Sequence, residues 1–285
     1  MIGSTLLLMV GLVDLAGGLR LGRTLPGRLL LLAAVSVLVI TGLGIPFLAA
    51  AACGALAFGW TLSMPAPKPM EAGRMDSSSP AVPRLWPVIV LFVLVFGITV
   101  FDRTAQSASG FLLDAYSLTA LESASSVSVE TIVAAAAVAV FLTRSANIVA
   151  LAALGRAHQE DTHPGNSGRG EESPAATQQP NVWEFFIRSR QVASVRAGEK
   201  PARGPALKGG RLIGPIERLL IVVLAFAGAP QIIAALAAAK GVVRFPEIAE
   251  DRGTGSKAEE FLVGSLASWT LSALAVLYLA LVHNG

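Results

Sequence analysis

The residues of this chain that could do chemistry are a few ionisable and amide side chains inside long apolar runs. Asp14 ends an uncharged N-terminal stretch, Arg144 lies in the run FLTRSAN, and Glu217 stands near the start of a later apolar run. An ionisable group inside a membrane is costly, so each one is by default a hypothesis about function. The residues of this class are Asp14, Arg144, Asn147, Glu217, Arg218 and Gln231.

Three interpretations fit these residues. They can pair across helices, as Asp14 with Arg144 or Arg144 with Glu217; Arg144 can extend to the inner membrane surface; or the group can serve a transport or proton-relay path. The sequence contains no nucleophile beside a base, no convincing set of metal ligands and no convincing cofactor-binding motif. It therefore predicts no catalytic residue, no metal and no cofactor, and it favours a protein that is not an enzyme.

The elements that must position these residues are membrane-spanning helices. The chain has 285 residues, of which 53% are hydrophobic and 14% are charged, whereas a soluble domain has about 25% charged residues. The apolar residues form runs near the length of about 20 residues that crosses a bilayer as a helix. The sequence predicts an all-α polytopic transmembrane bundle of about seven spans. The predicted spans are 3–19, 29–44, 46–64, 85–101, 131–152, 214–239 and 261–282.

Glycine and proline mark two interruptions in this pattern. Residues 29–64 carry no charge and would extend about 54 Å as one helix, so a turn is needed; Gly44 ends one helix and Pro46 suits the start of the next. The sixth span is interrupted at Gly228-Ala229-Pro230, and a re-entrant segment there would leave six true spans. In the acidic loop, residues 107–124 have helical spacing and predict a helix on the outer interface or over the mouth of the bundle.

Loop charges predict the orientation, because Lys and Arg are enriched on the cytoplasmic side. Loop 20–28 has three arginines and no acid, loop 102–130 is acidic, and segment 156–213 is basic. This pattern places the N-terminus outside and the C-terminus and 156–213 inside. Heavy use of Ala, Gly, Val, Leu and Arg indicates a GC-rich bacterium, and hence a multi-pass protein of the cytoplasmic membrane.

The chain divides into membrane segments joined by polar linkers. Residues 65–84 and 156–180 are rich in polar residues, Gly and Pro, a composition that favours disorder. The predicted divisions are a three-helix segment at 1–64, a cytoplasmic linker at 65–84, the fourth and fifth spans with an outer loop at 85–155, a partly disordered cytoplasmic linker with a basic amphipathic arm at 156–208, and a membrane helix pair at 209–285.

Residues 181–211 contain an aromatic patch followed by a basic run. Asn181 precedes Glu184 by three residues, a variant of the capping box that begins a helix. The residues that define this arm are Trp183, Phe185, Phe186, Arg188, Arg190 and Arg196. Each Lys or Arg near an anionic leaflet is worth about 1 kcal/mol, so the arm predicts binding to anionic lipids. Ordinary positive-inside charge is the bland alternative, and nucleic acid is disfavoured because no nucleic-acid-binding fold accompanies the charge.

The last third of the chain carries the pattern GxxIGxxER, then AAKxxxRF at the end of an apolar run, then ExxLxG. The matching residues include Gly210, Gly214, Glu217, Arg218, Lys240, Arg244, Glu260 and Gly264. This pattern resembles the C-terminal membrane helix hairpin of an uncharacterised bacterial membrane-protein family, over about a quarter of the chain. The resemblance implies an architecture and no activity. The charged pairs Glu217-Arg218 and Lys240/Arg244 bracket a little over 20 residues, as the anchors of one tilted span would.

Two functions from different classes follow. The first is a non-enzymatic scaffold, regulatory or accessory membrane protein, whose partners are the lipid bilayer and either another membrane protein or a second copy of this chain. The second is a small-solute or ion transporter, which requires a hydrated cavity joining Asp14, Arg144, Glu217 and Gln231. An enzyme that acts on lipid requires a cluster of His, Asp or Glu at the interface, which the sequence lacks.

Overall fold

The computed structural model describes residues 1–18, 24–64, 85–101, 110–119, 127–160, 182–187, 190–196, 210–249 and 256–284. These ranges contain ten α-helices and one two-stranded hairpin, so the predicted helical class is confirmed for the membrane part. The helices are α1 (Ile2–Gly17), α2 (Leu25–Leu43), α3 (Phe47–Ser63), α4 (Trp86–Phe101), α5 (Phe111–Thr119), α6 (Val129–Thr143), α7 (Ser145–Glu160), α8 (Gly210–Phe226), α9 (Pro230–Ala249) and α10 (Ser256–His283).

Two of these helices, α2 and α10, are long and apolar enough to cross a membrane. The consecutive helices α6 and α7 are bent by 43° and make a third crossing if they count as one span. Helices α1, α3 and α4 are apolar but have only 16, 17 and 16 residues, which is about 25 Å at 1.5 Å per residue. The membrane class is therefore supported, whereas a count of seven spans is not.

The helix boundaries follow local sequence signals. The turn predicted between the second and third spans is confirmed, since Gly44 ends α2 with φ 68°, a left-handed conformation that favours glycine, and Pro46 immediately precedes α3. Thr24 caps the start of α2 by accepting a hydrogen bond from the Gly27 amide at 3.3 Å, and Ser128 caps α6 in the same way. These caps satisfy amides that the first helical turn leaves unpaired.

Helix α1 lies at the centre of the bundle and packs against α3, α4 and α6. Its residues Leu6, Met9 and Val10 are fully buried. Gly11 permits the close approach of α6, because a methyl group there would lie 2.9 Å from the Val140 side chain and 3.0 Å from the backbone nitrogen of Phe141. Apolar side chains on the outer helices are exposed instead, as expected for surfaces that face lipid.

The two ends of the chain lie at the same end of the bundle. The Ser4 hydroxyl, in the first turn of α1, is 2.7 Å from the Tyr278 hydroxyl, near the end of α10. At the other end of α1, Asp14 binds Trp60 in the last turn of α3. The first turn of α1 therefore lies beside the end of α10, and the placement of the N-terminus outside and the C-terminus inside stays a prediction.

Helices α8 and α9 form an antiparallel hairpin. The chain reverses at Gly228, whose φ of 66° requires a left-handed backbone. Lys240 Nζ lies 2.8 Å from Glu217 Oε2, whereas the ends of one straight helix of that length would be about 35 Å apart. The predicted single span at 214–239, anchored by its flanking charges, is therefore wrong.

The polar segments give mixed outcomes. The helix predicted in the outer loop is confirmed as α5. This helix packs closely on the end of α2, as shown by Gly42, where an added methyl group would lie 2.7 Å from the Leu112 side chain. The linker was predicted to begin at residue 156, whereas α7 continues to Glu160. Residues 65–84 and 161–181 lie outside the described ranges.

The arm that was predicted to begin as a helix is instead a β-hairpin. Strand β1 (Val182–Ile187) pairs antiparallel with β2 (Arg190–Arg196), and the register shifts between Phe185 and Phe186. Trp183, Phe185 and Phe186 thus lie in β1, and Arg190 and Arg196 lie in β2, while Arg188 falls outside the described residues. The β-branched and aromatic residues of VWEFFI favour a strand, and this preference outweighs the capping signal.

Candidate functional site

The candidate site is organised around the break between α6 and α7. The two helices meet at Arg144 with a 43° bend, which interrupts the i to i−4 hydrogen-bond ladder of a continuous helix. The amides of Asn147 and Ile148 both bond to the Arg144 carbonyl. Carbonyl groups on the preceding turn can then accept hydrogen bonds from side chains. The side-chain Nδ2 of Asn147 donates to the Thr143 carbonyl at 3.3 Å.

Arg218 fills this break from the neighbouring helix α8. Its side chain is only 2% exposed. Arg218 Nε donates to the Leu142 carbonyl at 3.0 Å, Nη1 donates to the Ser268 hydroxyl at 3.3 Å, and Nη2 donates to Asn147 Oδ1. One guanidinium therefore joins α6, α7 and α10 to α8. We call Arg218 with these three acceptors the Arg218 network.

Small residues on α8 and α10 lie beside the guanidinium. A methyl group on Gly214 would lie 3.4 Å from Asn147 Oδ1 and 3.5 Å from Arg218 Nη1, which is ordinary van der Waals contact, so α8 passes close to the break at this residue. On α10, Ser265, Ser268 and Ser272 are all buried. They are spaced three and four residues apart and hence share one helix face. This face supplies the hydroxyl that the guanidinium binds.

Glu217 points to a different group of residues, on α9 and α10. Its carboxylate accepts hydrogen bonds from Lys240 Nζ at 2.8 and 2.9 Å and from Trp269 Nε1 at 3.1 Å. Lys240 Nζ also lies 5.9 Å from the centre of the Trp269 ring, within the range of a cation–π interaction. The carboxylate is thus neutralised and fully bonded, and the contact holds the α8–α9 hairpin against α10.

The Glu217–Lys240 pair should show energetic coupling in a double-mutant cycle. We expect the effects of Glu217→Gln and Lys240→Met on the free energy of unfolding to be non-additive by about 1 kcal/mol, since interhelical polar contacts in membranes are worth about 0.6 to 1.7 kcal/mol. The measurement is unfolding of the four proteins in mixed micelles or bicelles.

The matched control for this cycle pairs Lys240→Met with Glu259→Gln. Glu259 is an exposed carboxylate in the first turn of α10, and it makes no hydrogen bond or ion pair with Lys240. These two effects should add, as they do for independent sites. Additive effects for Glu217 and Lys240 as well would contradict the pairing.

Asp14 belongs to a second polar group, between α1, α3 and the same helix break. The residue is 7% exposed, and its Oδ2 accepts a hydrogen bond from Trp60 Nε1 at 3.0 Å. Arg144 and Ser145 lie close enough to interact with the carboxylate. No ion pair within 4 Å joins Asp14 to Arg144 among the described residues.

The four residues predicted to line one transport cavity do not come together. Asp14 binds Trp60, Glu217 binds Lys240, and Gln231 is exposed at the start of α9. Arg144 lies beside Asp14 and does not contact Glu217. The direct Asp14–Arg144 and Arg144–Glu217 pairs suggested by the sequence are therefore not formed, and the cavity form of the transporter hypothesis is not supported.

Other predicted residues occupy structural positions. Gly214 and Arg218 from the family-like pattern lie in or beside the Arg218 network, and Glu217 and Lys240 bind each other. Gly264 packs against the Leu154 side chain, 3.6 Å from a methyl group built on it. Three further residues of the pattern lie in helices away from these contacts, and these are Gly210 at the start of α8, the exposed Arg244 in α9 and the exposed Glu260 in α10.

Sequence reasoning missed two partners of the site, Trp60 and Trp269, and it placed Ser268 in the C-terminal family-like pattern without counting it among the polar candidates. The serine spacing on α10 was a usable signal, because 265, 268 and 272 mark one face of an otherwise apolar helix. The tryptophans carried no such signal, since Trp is generally enriched near both membrane–water interfaces.

Comparison with known proteins adds no relative: no family model, no curated protein and no solved structure matches this chain. The resemblance of the C-terminal region to an uncharacterised family therefore rests on the residues quoted for it. Of these residues, Gly214, Glu217, Arg218, Lys240 and Gly264 make the contacts described above.

Proposed function

We propose that this chain is a non-enzymatic accessory or scaffold protein of a bacterial cytoplasmic membrane. The proposal rests on the Arg218 network, in which the Arg218 guanidinium binds acceptors on three other helices. A polar group that serves a transported solute or a reaction needs free hydrogen-bonding capacity. The polar residues beside Arg218 are bonded mostly to each other, and their arrangement favours a rigid membrane platform.

The proposed platform crosses the membrane an even number of times. Helices α8 and α9 either both cross or both re-enter, which gives eight or six crossings and returns the chain to one side in either case. The arginines of loop 20–28 then favour the cytoplasm for that end of the bundle. In this arrangement both termini are outside and segment 156–213 is cytoplasmic.

The contact surface of the platform is the basic cytoplasmic segment. Residues 181–211 combine aromatic and basic residues, which suits an anionic membrane surface or a membrane-protein partner. A second copy of this chain is one such partner.

The test is to replace residues 157–208 by a Gly-Ser linker of equal length. The intact protein, held in neutral-lipid nanodiscs, should bind anionic vesicles in a salt-sensitive manner, because charge attraction at a surface is screened by salt. The linker variant should lose this binding while it still inserts and folds. A control variant replaces only the polar linker 65–84. Equal vesicle binding by the 157–208 variant, or no binding by the intact protein at low salt, would reject the proposed contact surface.

The second candidate function is transport of a small solute or ion. One observation favours it. The helix pair α6–α7 is bent by 43° at a break, and this break lies between Asp14 and the Arg218 network. Broken helices line the sites of many transporters. Here Arg218 binds a carbonyl of the break, so transport would require Arg218 to leave. Solute uptake into proteoliposomes that is raised by Arg218→Ala would favour this candidate over the platform.

A further inference from the structure

A narrow apolar cavity lies between α4 and α10, away from the polar groups described above. It has a volume of about 280 Å³, part of which is open to the surroundings. Leu7 of α1 and Phe141 of α6 line its inner side and are 4% and 2% exposed. The partly exposed side chains of its lining are Phe92 and Phe96 of α4 and Leu274 of α10. The opening therefore lies between these two helices.

Aromatic contacts fix the walls of this cavity. The Phe92 ring meets the Phe141 ring edge to face, with the ring centres 5.8 Å apart. The Phe96 ring meets the Tyr278 ring in the same way at 6.0 Å, and this geometry is one that aromatic pairs prefer. The Tyr278 hydroxyl is also held, at 2.7 Å from the Ser4 hydroxyl. The walls are thus positioned by contacts with each other, and the cavity is formed before any molecule enters it.

Ala275 provides the space on the α10 side. Leu271, Ala275 and Tyr278 all line the cavity, and their spacing of four and three residues places them on one helix face. The side chain of Ala275 is a single methyl group between two large neighbours. The cavity extends along α10 from Leu271 to Tyr278, a rise of about 10 Å. Its shape is therefore that of a short groove along the helix.

The chemistry of the walls disfavours water and favours an apolar chain. No polar atom of the described residues faces the cavity, and a bound water needs two to four polar partners. The opening is continuous with the apolar outer surface of the two helices, where Val93 and Leu277 are 65% and 51% exposed. Helix α10 is long and apolar enough to cross a membrane. The molecules that lie against this opening are therefore the acyl chains of the bilayer.

We propose that one acyl chain of a membrane phospholipid inserts into this cavity and packs between α4 and α10. Lipid tails are as apolar as leucine, so the gain comes from dispersion contacts that an empty cavity forfeits. The preformed walls keep the cost of ordering low. The chain completes the packing of α4, in which only Pro87, Leu91 and Val95 are buried. This inference goes beyond the platform function and does not depend on it, since it makes one lipid a part of the bundle.

The test uses the full chain in nanodiscs of phosphatidylethanolamine and phosphatidylglycerol. A small fraction of the phospholipid carries a photoactivatable diazirine in the middle of one acyl chain, and mass spectrometry maps the labelled residues after illumination. We expect the label to concentrate on Phe92, Phe96 and Leu274 at the opening. Val93 and Leu277, which are exposed on the same helices, should carry severalfold less. Even labelling of these five residues would overturn the proposal.

A matched pair of variants tests the cavity itself. Ala275→Leu fills the space and should remove the excess label at the opening. Ala273→Leu makes the same change at an exposed position of the same helix, and it should leave the labelling as in the unaltered protein. Excess label that persists in Ala275→Leu would also overturn the proposal. If this variant does not fold, Ala275→Val adds less bulk, and it should then remove part of the excess label.

Discussion

Replacing Arg218 with alanine should destabilise the folded bundle by about 3 kcal/mol, because interhelical hydrogen bonds in a membrane are worth about 0.6 to 1.7 kcal/mol each. The substitution removes three of them and leaves the Leu142 carbonyl, Ser268 Oγ and Asn147 Oδ1 without their donor. Equilibrium unfolding by steric trapping or in mixed micelles measures the loss.

Two comparison variants separate this effect from loss of charge. Arg244→Ala removes an exposed arginine from α9, and it should cost less than about 1 kcal/mol, as exposed ion pairs do. Arg218→Lys keeps the charge but cannot reproduce the planar set of donors, so it should recover only part of the loss. A cost for Arg218→Ala no larger than that for Arg244→Ala would contradict a central role for the network.

Reporters fused to the two ends of this chain should lie on the same side of the membrane. The Ser4–Tyr278 contact brings the start of α1 beside the end of α10, and the chain reverses at Gly228, so we expect an even number of crossings. The two reporters are a phosphatase and a fluorescent protein, each of which is active on only one side of a bacterial membrane. Fused in turn to each end, they show whether the two ends lie on the same side or on opposite sides, whichever side that is. We expect both ends to score alike.

Fusions within residues 65–84 serve as the internal reference for this experiment. That segment follows α3, which runs parallel to α1, so a reporter there should score opposite to both ends. Opposite scores for the two ends would mean an odd number of crossings and would contradict the α8–α9 hairpin as a unit that returns to its starting side.

The elements of this fold differ in how far local sequence determined them. The turn at Gly44 was predictable, because an uncharged run of that length must reverse and glycine allows the left-handed residue that ends α2. The break at Arg144 was not, since no proline or glycine marks it; Arg218, which binds the Leu142 carbonyl beside the break, lies far away in sequence.

The α8–α9 hairpin shows the limit of hydropathy most clearly. The sequence displayed its Gly228-Ala229-Pro230 interruption and its flanking charges, and both were recognised. The flanking charges were interpreted as the anchors of a single span. In a sequence, charges on either side of an apolar run look the same whether they anchor one span or face each other across a hairpin. Only the Glu217–Lys240 contact decides between these arrangements.

The candidate polar residues stand out in the sequence, whereas the partners that they bind do not. Any intramembrane charge stands out in an apolar run, so Asp14 and Arg218 were evident. Their partners Trp60 and Ser268 were less so, since a neutral donor or acceptor in a membrane helix resembles an ordinary packing residue. Pairing depends on which helices are neighbours, which short-range patterns do not encode.

The contact between Ser4 and Tyr278 also bears on biogenesis. The ribosome makes α1 before α10, so the Ser4 hydroxyl has no Tyr278 to bind until α10 has been made. A copy truncated before Ser256 keeps the Asp14–Trp60 hydrogen bond but leaves the Ser4 hydroxyl without its partner on α10. The Ser4–Tyr278 contact is therefore a late step of assembly, which joins α1 to α10 only after α10 has been made.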